Sequence, residues 1–167
     1  MCPRWFPVLM AWLALLAACT APQHFWPQRD IAYDEINSAN LDRKLLIASR
    51  ESEFKAAIIS KVKAAYAGED TYIRLVGIEA LQAEDPQRYT AILILNTCMG
   101  WEIDYRVTDF LNRSADLRSI IVLTTADGGD IYPKLKGRQV DAMSSASTAA
   151  SIDPLAEEII AKLDRLL

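Results

Sequence analysis

The chain has 167 residues, of which 51% are hydrophobic and 24% charged, with a formal net charge of −4. That length suits one domain with a sizeable core plus a tail, and is short for two domains. An acidic balance without any block of like charge excludes a nucleic-acid-binding face, and the single histidine, His24, lies too far from the domain to serve a triad or a zinc site.

The first stretch, MCPRWFPVLMAWLALLAAC, has Arg4 as its only charge and is apolar from Trp5 to Ala18. It has the length of a signal-peptide h-region and is short for a bilayer span of roughly 20 residues. It ends in Leu16-Ala17-Ala18-Cys19, which resembles the bacterial lipobox. The resemblance implies that residues 1–18 are a lipoprotein signal peptide, removed by cleavage before Cys19. It further implies that Cys19 is lipidated and carries palmitate as part of an anchor in the cell envelope. Thr20 stands where, by the same resemblance, an aspartate would mark retention in the inner membrane. The expected address in a Gram-negative cell is therefore the periplasmic side of the outer membrane. Cys2 leaves with the signal, so Cys98 has no partner and no intramolecular disulfide is expected. Cys98 itself reads as a small buried residue after a strand, with an exposed thiol as the alternative.

Residues 19–43 contain Pro22 and Pro27, many polar side chains and no sustained periodicity, the composition of a tether. Phe25 and Trp26 in it suit either a lipid interface or packing on the domain.

The domain, residues 44–167, opens with the apolar strand Lys44–Ala48 and the turn Ser49-Arg50-Glu51. A helix over Ser52–Ala67 follows, with Phe54, Ile58, Val62 and Tyr66 at four-residue spacing, and Gly68 stops it. Thr71–Ile78 is rich in β-branched and aromatic residues and forms the second strand. The crossover after it is abbreviated, with Asp85-Pro86 capping a turn or two of helix. Ala91–Leu95 is a continuous apolar run, the pattern of a strand covered on both faces. After the loop 96–104, Val107, Phe110 and Leu111 mark a short helix, and Ser119–Thr125 a fourth strand. Beyond the loop Ala126–Asp130, the poorly periodic stretch from Tyr132 to Gly137 is expected to be at most a reduced helix. Gln139–Ser144 is a weaker fifth strand. Asp153-Pro154 then opens a last helix buried through Leu155, Ile159, Leu163 and Leu166. Strands alternating with helices predict an α/β domain with a parallel sheet and right-handed crossovers.

This order of elements, clearest in DPQRYTAILILNTCMGWEIDYRVTDFLNR, resembles the flavodoxin family. The resemblance implies a three-layer, open, five-stranded parallel sheet in the order 2-1-3-4-5. Its ligand would lie beyond the carboxyl ends of the strands, at the switch point. FMN is the cofactor it implies, held by three loops. Residue by residue, it points to Ser49, Arg50 and Ser52 in the first loop, Thr97 and Trp101 in the second, and Thr125, Gly128 and Gly129 in the third. The first loop departs from the pattern: it lacks the family's glycine and has Glu51 and Glu53 at a helix N-terminus, where they would repel a phosphate dianion.

Other chemistries find little support. The receiver domains of response regulators share this strand order, but here strand three ends in Asn96-Thr97-Cys98 and strand five in Ser144-Ser145, without the aspartate and lysine of that family. Asp127 and Asp130, with Glu102 or Asp104, form a weak cation-site pattern that a solvated turn explains better. Ser144, Ser145 and Ser147 have no base to activate them. No catalytic residue stands out, and an enzyme of this kind would be a flavin-dependent oxidoreductase. Two expectations remain: a lipid-anchored module without cofactor that binds an envelope protein through a degenerate flavin site, or an FMN electron carrier.

Overall fold

The computed structural model describes residues 28–68, 70–128 and 130–167. The expected signal peptide, residues 1–18, and Cys19, Phe25, Trp26 and Gly129 lie outside these residues. Among the described residues six strands form one sheet: β1 (Asp34–Ile36), β2 (Arg43–Ser49), β3 (Thr71–Gly77), β4 (Ala91–Thr97), β5 (Ile120–Thr125) and β6 (Asp141–Ser145). Their spatial order is β1-β3-β2-β4-β5-β6, parallel throughout except for the antiparallel β1–β3 pair. The five expected strands are thus present in the expected relative order.

The expectation of five strands needs one correction. Residues 34–36, read as part of a tether, add a sixth strand at the β3 edge, with Glu35 opposite Arg74. The segment has too few apolar residues to show a strand period, so its pairing was invisible in the sequence. Long-range contacts hold it, among them the Arg74–Glu35 ion pair at 2.7 Å, the Lys63–Asp34 pair at 2.7 Å, and the Asn37 amide donating to the Thr71 carbonyl at 2.8 Å.

Three helices cover the sheet: α1 (Glu53–Tyr66), α2 (Tyr105–Arg113) and α3 (Ile152–Leu163). Side chains alternate along each strand, so the central strands feed two separate cores. Leu45, Ile47, Leu93, Leu95, Ile121 and Leu123 meet Phe54, Ile58, Val62 and Tyr66 of α1 and Ile159 and Leu163 of α3. Their sequence neighbours Leu46, Ala48, Ile92, Ile94, Ile120 and Val122 meet Val107, Phe110 and Leu111 of α2. This explains the unbroken apolar runs, because strands buried on both faces have no polar face to alternate with.

The two crossovers on the α2 side are thin. Between β3 and β4 the chain makes only 3₁₀ turns, Ile78–Ala83 and Pro86–Arg88, as the sequence foreshadowed. Between β5 and β6 the reduced helix expected over Tyr132–Gly137 is absent, and the chain runs there in irregular structure. Leu135 and Val140 still pack on the core, but they are too far apart for a helical stripe. Arg138 fastens this segment by donating to the Leu111 and Asn112 carbonyls at 3.3 and 3.2 Å and to the Ser114 carbonyl, at the C-terminus of α2. A cation is favourable at that end of a helix dipole, and its donors satisfy carbonyls without intrahelical partners.

Leu93 is wholly buried at the middle of the sheet. Its truncation, Leu93→Ala, is expected to lower the unfolding free energy by about 2–5 kcal/mol, measured by urea denaturation. A loss under about 0.5 kcal/mol would place this strand outside the core.

Candidate functional site

The strand order reverses between β2 and β4, so the crevice expected to hold a ligand opens where these strands end. Arg50, the first residue after β2, fills that position. It is only 4% exposed, and its guanidinium is clamped by two carboxylates. Nη1 donates to Asp30 Oδ1 and Nη2 to Asp104 Oδ2, both at 2.6 Å. Burial opposes the guanidinium's charge, but Asp104 and Asp30 outweigh it and hold its pKa above the ordinary arginine value. Glu79 adds a longer contact at 3.6 Å.

Each carboxylate is itself positioned by backbone. Asp30 accepts from the Ile78 and Glu79 N–H groups, both at 3.0 Å, at the start of the 3₁₀ turn after β3. It reaches them because Gly77 has no side chain: a Cβ there would lie 2.2 Å from Asp30 Oδ2. Asp104 is the N-cap of α2, with Oδ1 accepting from the Arg106 N–H at 3.0 Å. The Asn96 side-chain oxygen accepts from the Asp104 N–H at 3.4 Å.

The N-terminal segment lies across the same loop. Arg29 and Ile31 make backbone hydrogen bonds with Glu51 and Ser49, and Asp30 bridges to Arg50 in antiparallel fashion. Two donors that would face a phosphate, the Glu51 N–H and the Ser49 hydroxyl, are therefore already engaged. The Glu51 N–H donates to the Arg29 carbonyl at 2.8 Å, and Ser52 caps α1 by accepting from the Lys55 N–H at 3.2 Å. The Ser49 hydroxyl donates to the Arg50 carbonyl at 2.8 Å. With Glu51 and Glu53 beside them, these residues do not fit a phosphate dianion, and the FMN phosphate has no cradle in this loop.

Beneath the loop lies a second buried charge, outside the residues expected to form the site. Lys55, 1% exposed, points from the first turn of α1 to the Thr97 hydroxyl. Burial, reinforced by the nearby Arg50 charge, lowers its pKa to about 8. A signal was present, since Lys55 falls three and four residues before Ile58 and Ile59, on the buried stripe of α1. Asp30 was hidden in the supposed tether, and Asp104 in the supposed loop.

The other two loops are more open. Thr125 is buried and donates to the Asn96 carbonyl at 3.2 Å, joining the ends of β4 and β5. Gly128, at a φ of 88°, makes a tight turn back to Ala126. Met99 and Glu102 pair across a two-residue hairpin whose tip is Gly100 and Trp101, at φ values of 61° and 65°. Positive φ at both tip residues is the pattern of a type I′ turn, which favours glycine and asparagine. A tryptophan there carries strain of about 1–3 kcal/mol. Trp101 is 77% exposed. Below it a groove of about 450 Å³ is lined by Trp101, Glu102, Tyr105, Asp109, Asp130 and Tyr132, among others. Arg106 already stacks on the Tyr105 ring at 4.6 Å.

The first loop and this groove are thus distinct places: Ser49, Arg50 and Ser52 are turned to internal bonds, while Trp101 faces solvent. Cys98 is half-buried, its thiol pushed up by burial more than the Trp101 backbone N–H brings it down, which disfavours a reactive thiolate. Asp104 is committed to Arg50, and among the described residues no cluster of His, Cys, Asp or Glu is arranged to hold a metal ion.

Two expectations follow. Asp104→Ala leaves Arg50 buried with half its compensation and removes the α2 cap, and is expected to lower stability by about 3–5 kcal/mol in denaturant titration. Lys55 is less protonated in the folded than in the unfolded chain between pH about 8 and its ordinary value of 10.5. Stability should therefore rise with pH from about 8 to 10, and Lys55→Met should abolish that rise and stabilise the protein at neutral pH. A flat wild-type profile would remove the buried charge.

No family model and no curated protein matches the chain. Among solved structures, one described as "Structure of a flavodoxin from the domain Archaea" is similar with a TM-score of 0.53, over 74% of this chain and 98% of that one, at 8% identity. The likeness is one of architecture, and the domain has a flavodoxin-like fold.

Proposed function

We propose that the protein is a membrane-anchored envelope lipoprotein whose flavodoxin-like domain works as a binding module without cofactor. One observation carries the second half of this reading: the crevice at the switch point is filled by the chain's own Arg50, clamped between Asp30 and Asp104. A flavin phosphate would have to displace the Arg29–Ile31 segment and compete with two carboxylates for one guanidinium. The anchor half rests on the lipobox-like Leu16-Ala17-Ala18-Cys19, with palmitate on Cys19 and, in a Gram-negative envelope, a place on the periplasmic side of the outer membrane. The open aromatic groove beside Trp101 then serves a protein partner in the envelope.

The alternative, an FMN electron carrier, is favoured by that same groove. Trp101 and Tyr132 stand on the loops after β4 and β5, where a flat ring system could stack. It requires a different phosphate site from the one the family resemblance implies.

The full chain in detergent, titrated with FMN to tens of micromolar, is expected to leave flavin fluorescence unchanged. Glu51→Thr with Glu53→Asn should not restore binding, because Asp30 and Arg29 still close the loop. A yellow protein with quenched flavin emission would overturn the cofactor-free reading. Cys19→Ser is expected to abolish palmitate labelling and release the chain from membranes, and unchanged labelling would overturn the anchor.

A further inference from the structure

The groove under Trp101 has a charge pattern of its own. Its ionisable lining is Glu102, Asp109 and Asp130 against Lys134 alone. Among the described residues none of the three carboxylates is held in an ion pair, whereas the carboxylates around Arg50 are fully engaged. The aromatic lining is Trp101, Tyr105 and Tyr132, each substantially exposed. Ring faces beside unpaired carboxylates attract a cation, through the ring quadrupole and through charge-assisted hydrogen bonds. The same carboxylates disfavour an anionic occupant.

Two features narrow the occupant. A planar guanidinium stacks on an indole face and pairs with a carboxylate through two parallel N–H donors, which a compact ammonium does not do. And Trp101 stays 77% exposed beside the groove, so its ring is not enclosed by the chain's own residues. Covering it takes a larger surface, and tryptophan and tyrosine are the residue types that dominate the energetics of protein interfaces. The strained backbone at Trp101, in a turn that would accept glycine or asparagine without strain, fits a side chain placed for contact with something outside the chain.

We propose that the groove between the loops after β4 and β5 receives an arginine-bearing segment of a partner protein, its guanidinium stacked on Trp101 or Tyr132 and paired with Asp109 or Asp130. The proposal rests on the reading of the domain as a binding module and names the chemistry of its partner.

The test uses the ¹⁵N-labelled full chain in detergent and follows the Trp101 indole N–H resonance, assigned by its loss in Trp101→Gly. The probe is the peptide acetyl-Arg-Gly-Arg-amide, compared with its citrulline counterpart, which has the same shape without the charge. The arginine peptide is expected to shift the resonance with a Kd below ~1 mM. The citrulline peptide should bind at least about tenfold more weakly, and so should the arginine peptide when read on the Tyr132 resonances of Trp101→Gly or on the indole of Asp109→Asn/Asp130→Asn. Trp101→Gly should melt at the wild-type temperature or above it, so that lost binding is not lost folding. Equal affinity for the two peptides, or no shift at millimolar arginine peptide, would overturn the proposal. So would tighter binding of spermidine than of the peptide, which would assign the groove to a small polyamine. An FMN-induced shift with a yellow protein would instead overturn the cofactor-free reading, and the failure of the peptide with no response to FMN would remove the arginine partner alone.

Discussion

Arg50 carries its charge into a position that is almost closed to solvent, at the one point of an open parallel sheet where a crevice forms by topology. A guanidinium there is tolerable only if its charge is matched, and it is matched twice at 2.6 Å, by Asp30 from before the first strand and by Asp104 from the start of α2. Three parts of the chain distant in sequence are tied at that point. The requirement propagates outward. Asp30 needs Gly77 to be bare and the Ile78 and Glu79 N–H groups to be free, which in turn fits the short 3₁₀ crossover after β3. Asp104 needs the helix it caps. A buried ion pair of this kind contributes little net stability compared with apolar packing, but removing one member is costly, so it fixes arrangement more than it adds free energy.

The same clamp decides what the fold can do. In an open α/β sheet the carboxyl ends at the switch point are where ligands bind, because the loops diverge there and helix N-termini point inward. Here the diverging loops are drawn together by internal charge, and the segment 29–31 lies over the gap. Lys55 beneath it, bonded to the Thr97 hydroxyl, makes the interior of this end cationic, while Glu51 and Glu53 make its rim anionic. With the crevice closed on this scaffold, an open groove lies to the side, at the loops after β4 and β5. There a strained, exposed tryptophan and unpaired carboxylates face solvent.

Much of the architecture was legible in the chain. The runs AILIL and SIIVLTT, apolar without alternation, have the pattern of strands covered on both faces, and the four-residue spacing of Phe54, Ile58, Val62 and Tyr66 that of a helix with one buried face. The abbreviated crossover after Thr71–Ile78 was readable from Asp85-Pro86. By contrast, the Tyr132–Gly137 stretch offered no period, and it runs as irregular chain that Arg138 fastens to the end of α2 through its side chain, a contact that leaves no pattern in sequence. The edge strand Asp34–Ile36 escaped for a similar reason, since it is held by Arg74 and Lys63 rather than by apolar residues of its own.

What the sequence by itself determined is therefore the part of the protein governed by short-range period and composition: the class of the fold, and, by resemblance, the relative order of its parallel strands. What only the tertiary structure decided is where charge meets charge. Arg50 read as a candidate ligand for a phosphate, and became the stopper of the crevice once Asp30 and Asp104 were found beside it, at separations of 20 and 54 residues along the chain. Hydrophobic burial follows patterns repeated every two or four residues and so is written locally. Electrostatic pairing depends on distance in space, and no local pattern records which carboxylate the folded chain will bring to a given guanidinium.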